Sequence, residues 1–214
     1  MHYKHLIIGG NTMSDGNYID LTKKTNGILN LNKNDILDLT KAVPTLNNIR
    51  VGAGWDVNTG FFGGSFDLDL CAILVDGNNR LISGENPCVY YGKKKSKGIY
   101  LDGDNLTGEG DGDDENIYVT LSEIPSQVKR IIFNVVIYNG AAKKQKFAKV
   151  KNAYVRILNT ANRDEEICRY NLSNDGGDNT AVVFAELIRN GSNWEFKAIG
   201  EYKQASIEQL LKNY

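Results

Sequence analysis

From Arg130 to Tyr202 the chain is written in short apolar runs separated by turn residues. "RIIFNVVIY", "NAYVRIL", "EEICRYNL", "TAVVFAELI" and "NWEFKAIGEY" follow one another, rich in β-branched and aromatic residues. Each has the length of a strand, and none has room beside it for a long helix. Upstream, "FDLDLCAILV" alternates from Phe66 to Leu70 and then turns continuously apolar. Asp76-Gly77 and Asn190-Gly191 sit between apolar runs and predict hairpin turns with positive φ. This spacing predicts an all-β fold, an antiparallel β-sandwich. One clear helix closes the chain. In "SIEQLLKNY", Ser206 is the N-cap, Gln209 completes a capping box, and Ile207, Leu210 and Leu211 form the apolar stripe. Pro125 limits a further helical stretch in "TLSEIPSQV" to a short piece.

Several function classes are excluded early. His2 and His5 are the only histidines among 214 residues, and both lie in a loosely patterned leader. A Ser-His-Asp or Cys-His arrangement needs a histidine held inside the fold, so the chain is expected not to be an enzyme. There is no phosphate-binding G-x-x-x-x-G-K-[ST] pattern. Cys71, Cys88 and Cys168 are odd in number and far apart, which reads as reduced thiols in a cytoplasmic protein. No apolar run approaches the ~20 residues of a membrane span, and none near the start is long enough for a secretory signal. The balance of charge, formally -1, does not argue for nucleic acid. "KKKSK", Lys93 to Lys97, reads as a solvated loop rather than an anion-binding patch.

That balance hides an uneven distribution. Leu101 to Asn116, "LDGDNLTGEGDGDDEN", holds seven carboxylates and four glycines. The rest of the chain therefore sums to +6, since -1 + 7 = +6. Further acids lie nearby in the pattern. On a strand through "SFDLDL", Phe66, Leu68 and Leu70 face one way and Asp67 and Asp69 the other, ~6.6 Å apart. "GAGWDVNTG" sets Asp56 in another glycine-rich loop, with Trp55 as an apolar anchor. A hard cation accounts for all of these together. Calcium takes 6–8 oxygen ligands from carboxylates, carbonyls, Asn and water, and glycines let the backbone fold around it. Magnesium is stricter in geometry and fits such a loop less well. The loop is no EF-hand, because Leu106 and Thr107 stand where that pattern needs an acid or Asn and then Gly. A solvated acidic turn without an ion remains the alternative at this point. "NDGGDN", Asn174 to Asn179, reads as an ordinary turn.

"RVGAGWD", "FDLDLCAILVD", "GDNLTGEGDGDDE", "AYVRILN" and "FAELIRNGSNWEFKAIG" together resemble the TerD family of tellurium-resistance and stress-response proteins, in its order and at its spacing. The resemblance covers residues 29–214, with residues 1–28 as a partly flexible leader that exceeds the usual family start. It implies a calcium-binding β-sandwich, cytoplasmic or loosely membrane-associated and without catalytic activity. The family is linked to resistance to tellurite, phage and pore-forming colicins. Its calcium motif carries over onto Asp56, Asp67, Asp69, Asp104, Asn105, Asp113, Asp114 and Glu115, enough for two Ca2+ ions. Where the family commonly has an acid after the central strand, preceded by histidine, this chain has Tyr138-Asn139. The expected partner is another protein of the stress response or the membrane periphery. The alternative is a small-molecule anion: a cyclic-AMP-binding protein belongs to the same family, and there calcium would be structural.

Overall fold

The structure is a computed structural model that describes residues 16–19, 28–57, 66–102, 112–172 and 176–214. Its elements, in chain order, begin with β1 (Asn17–Tyr18), β2 (Leu29–Leu31), β3 (Asp35–Asp38) and the single-turn helix α1 (Leu39–Ala42). β4 (Asn48–Val57), β5 (Leu68–Val75), β6 (Cys88–Val89), β7 (Lys95–Ser96), β8 (Ile99–Asp102) and β9 (Glu115–Thr120) come next. β10 (Arg130–Ile137), α2 (Gly140–Lys143), β11 (Val150–Asn159), β12 (Glu165–Asn171), β13 (Ala181–Asn190), β14 (Asn193–Lys203) and α3 (Ile207–Leu211) complete it.

The strands form two sheets, in the orders β1-β3-β14-β13-β10-β5-β6 and β2-β12-β11-β4-β9-β8-β7. The all-β sandwich expected from the sequence is present, with one refinement. β1 runs parallel to β3, and β2 parallel to β12; the other neighbouring strands in the two sheets are antiparallel. Side chains from both inner faces, among them Phe133, Phe184, Phe196, Val51 and Ile117, fill the space between. A second apolar group lies on the other face of the first sheet, where Ile207 and Leu210 of α3 pack on Cys71, Ile73, Ile132 and Val183. This explains why "FDLDLCAILV" loses its alternation. Every residue of β5 is buried, because α3 covers the face that would otherwise meet water.

Ser206 Oγ accepts from Gln209 N, and Gln209 Oε1 accepts from Ser206 N, closing the capping box. The β13–β14 hairpin turns through Gly191-Ser192, one residue later than expected, with Asn190 paired to Asn193 and Gly191 at φ 63°. At Asp76-Gly77 the positive φ belongs to Asn79 instead. Asp76 contributes its carboxylate, which accepts from the N–H groups of Asn78 and Arg80. The lysine run supplies the edge strand β7, whose Lys95 is exposed and is flanked by the exposed Lys93, Lys94 and Lys97, charges that discourage further pairing. Cys71, Cys88 and Cys168 are buried free thiols. Among the described residues no helix is long and apolar enough to cross a membrane.

Candidate functional site

β4 fixes the frame of the site by strict alternation. Ile49, Val51, Ala53 and Trp55 are buried in the sandwich, so Arg50, Gly52, Gly54 and Asp56 fall on the outer face of the second sheet. The two glycines leave a trough there. A Cβ on Gly52 would stand 2.2 Å from Asp113 Oδ2, and one on Gly54 would stand 2.5 Å from the Tyr154 ring. Asp113 therefore lies directly over the β4 backbone, its side chain 1% exposed.

Asp113 is gripped from three sides. Its Oδ2 accepts from Arg50 Nη1 at 2.8 Å and from Arg156 Nη2 at 3.0 Å. Its Oδ1 accepts from Arg156 Nε at 2.8 Å and is 3.0 Å from the Tyr154 hydroxyl, which also lies 2.7 Å from the Gly112 carbonyl. The network continues through Glu166, which accepts from Arg156 Nη1 and from Arg169 Nε and Nη2. Arg169 lies over the Tyr154 ring, 4.2 Å from its centre. Burial alone would raise the Glu166 carboxyl, but the guanidinium groups of Arg169 and Arg156 outweigh it and hold it below the usual carboxylate range. Burial, then the charge of Asp113 and the hydrogen bond to it, raises the Tyr154 phenol.

The next two acids leave this network in opposite directions, as alternation requires. Asp114 continues along the β4 edge, where its N–H bonds the Ala53 carbonyl and its Oδ2 accepts from Trp55 N at 2.7 Å. Burial, and then the charges of Asp56 and Asp113, push its carboxyl upward against that bond. Asp114 and Asp56 line a cleft of about 490 Å3 with Trp55, Asn152, Tyr154 and Arg169. Asn152 donates to Asp56 Oδ2 at 2.6 Å. Glu115 turns the other way, between the sheets, and is 1% exposed. Its Oε2 accepts from Leu70 N on β5, so its carboxylate joins the second sheet to the first at one end of the sandwich.

Asp69, the residue next to Leu70, is 4% exposed and lies on the β5 face opposite Leu68 and Leu70, as the sequence pattern requires. Asp67 is half-buried, and its carbonyl accepts from Tyr138 N, which puts Asn139 near the same end. Cys71 registers both buried acids. Contact with Cys88 and burial raise its thiol well above the ordinary range, and the charges of Asp69 and Glu115 add to the effect. Of the eight residues singled out from sequence, Glu115 thus lies between the sheets, Asp69 lies on the other face of β5 with Asp67 just ahead of that strand, Asp56 and Asp114 lie in the cleft, and Asp113 lies among arginines. Asp104 and Asn105 lie outside the described residues. Among the described residues, no three carboxylate, thiol or imidazole side chains converge closely enough to hold a metal by themselves. Sequence reasoning missed Arg50, Tyr154, Arg156, Glu166 and Arg169. The signal for them was the pair Gly52 and Gly54, two positions of one strand face left open for something to lie on.

The sequence pattern of the TerD domain matches residues 27–214. The chain belongs to the TerD family. It is 36% identical over 188 residues to tellurium resistance protein TerD of Serratia marcescens, covering 87% of this chain and 96% of that protein. It is 38% identical to general stress protein 16U of Bacillus subtilis (strain 168), with the same coverage. The crystal structure of a homologue of telluride resistance protein (TerD) from Streptomyces coelicolor A3(2) superposes with a TM-score of 0.60 at 21% identity, over 78% of this chain and 95% of that one. The fold is therefore a TerD fold. The tellurium-resistance and stress-response relatives match this domain over most of their own length.

Proposed function

We propose that this TerD protein is a non-enzymatic, calcium-binding protein of the stress response, holding Ca2+ at the acidic end of the sandwich to order a surface for a protein partner. The carrying observation is that two buried carboxylates, Asp69 and Glu115, reach the same stretch of β5 from different sheets. Each is at most 4% exposed, and Glu115 bonds the residue next to Asp69. A hard cation that takes oxygen ligands stabilises carboxylates held out of water. The donor chemistry fits calcium, since every candidate ligand offers oxygen. Asp67, Asp69 and Glu115 would hold one ion together with Asp104 and Asn105, which the TerD resemblance implies. Asp56 and Asp114, with the Asn152 amide beside them, would hold a second. Bound calcium would supply the positive charge that lets these acids converge.

In this reading Asp113 is not a ligand. Both its oxygens are engaged by guanidinium groups, and it positions its neighbours Asp114 and Glu115. The cleft also favours a cation over the alternative anionic ligand, because Asp56 and Asp114 line it and Arg169, which lines it too, already pairs with Glu166. Isothermal titration of the full chain with calcium tests the reading. Saturable binding that Asp69→Asn weakens far more than Asp178→Asn supports it, and identical binding by the two variants rejects it. Asp178 is a suitable control because it forms an exposed ion pair with Lys146.

A further inference from the structure

The residues ahead of the TerD match make a contact that none of the calcium chemistry uses. The family match starts at residue 27, yet Gly16 to Ile19 are docked on the first sheet. Asn17 N donates to the Asn34 carbonyl and Ile19 N to the Ile36 carbonyl, both at 2.9 Å, which extends the sheet past β3. Three side-chain features fit this segment to its place. The Tyr18 hydroxyl reaches across β3 and lies 3.1 Å from both oxygens of Glu195, a residue 4% exposed. Gly16 lies on Ile36 so closely that an added Cβ would be 2.6 Å from Ile36 Cδ1. Ile19 packs half-buried against the sandwich core. Ile36 itself is fully buried but belongs neither to that core nor to the apolar group under α3.

These are the elements of strand-addition recognition, in which main-chain bonds supply affinity and alternate side chains supply specificity. We propose that the outer edge of β3 is an acceptor site for an extended peptide of the form Gly-x-Tyr-aliphatic, and that Gly16–Ile19 is its resident intramolecular occupant. Glu195 selects the tyrosine hydroxyl, Ile36 demands glycine, and the core edge takes the aliphatic residue. A sheet edge carrying such a site would otherwise invite pairing with other chains, and the resident segment keeps it covered. The segment is short and Tyr18 is 57% exposed, so it belongs to the part of the fold that opens locally. The inference does not depend on calcium.

The test uses the full chain carrying Asn17→Pro and Tyr18→Ala, which removes one main-chain donor and the hydroxyl. A labelled synthetic peptide, Asp-Gly-Asn-Tyr-Ile-Asp, is the probe. The expected result is saturable binding at least about tenfold tighter to this variant than to the unaltered chain, weakened several-fold when Glu195→Gln is added. A variant that keeps its cooperative melt but binds the peptide no better than the unaltered chain overturns the proposal, as does binding indifferent to Glu195→Gln. Should the variant fail to fold, native-state hydrogen exchange on the unaltered chain decides. The amides of Asn17 and Ile19 should exchange at least about tenfold faster than those of Phe196 and Ala198, and equal protection would show an integral strand and overturn the proposal.

Discussion

A methyl group at position 52 would stand 2.2 Å from a carboxylate oxygen of Asp113, with the β4 backbone beneath it. Gly52→Ala should therefore displace Asp113 from Arg50 and Arg156 and cost about 1–3 kcal/mol, read from urea denaturation. Asp113→Asn removes the charge both arginines face and leaves the shape intact. A loss of about 2–3 kcal/mol is expected, together with calcium affinity lowered about tenfold at unchanged stoichiometry. Loss of one ion from the stoichiometry would instead make Asp113 a ligand. Glu166 ties the network to pH. Its carboxyl is held below its ordinary range in the folded chain, so its contribution is present above the ordinary carboxylate value and is lost as pH falls through the lower, folded one. Glu166→Gln should lower stability at neutral pH and flatten the acid limb of a stability–pH profile.

The elements show what a linear reading can and cannot find. β5, β10, β11, β13 and β14 were legible because each is long enough for its apolar pattern to repeat, and α3 was legible from its cap. Ser206→Ala should cost about 1 kcal/mol of stability, seen in the same denaturation experiment, because the capping box satisfies donors at the helix start. The parallel strands β1 and β2 were not legible. Two or three residues carry no period, and their partners β3 and β12 are chosen by packing rather than by a local turn. The acids of the candidate site stood out by charge density. Their division did not, because Asp113, Asp114 and Glu115 are adjacent in sequence and are separated only by the pleat and by the arginines that two distant strands, β4 and β11, bring to Asp113.

At the scale of the molecule the acidic end is a joint between two sheets. Glu115 crosses from β9 to β5, and Asp113, just ahead of β9, bonds to arginines of β4 and β11. An ion seated there would tighten both sheets at once, so calcium should act on global stability and not only on a loop. The direct measurement is a calcium titration of the full chain with melting followed in calcium and in chelator. The account predicts saturable binding of about two ions per chain and a clear rise of Tm with calcium. Both effects should be sharply reduced by Asp69→Asn and by Glu115→Gln and preserved in Asp178→Asn. Identical melting curves with calcium and with chelator, in a chain that takes up no ion, would contradict it.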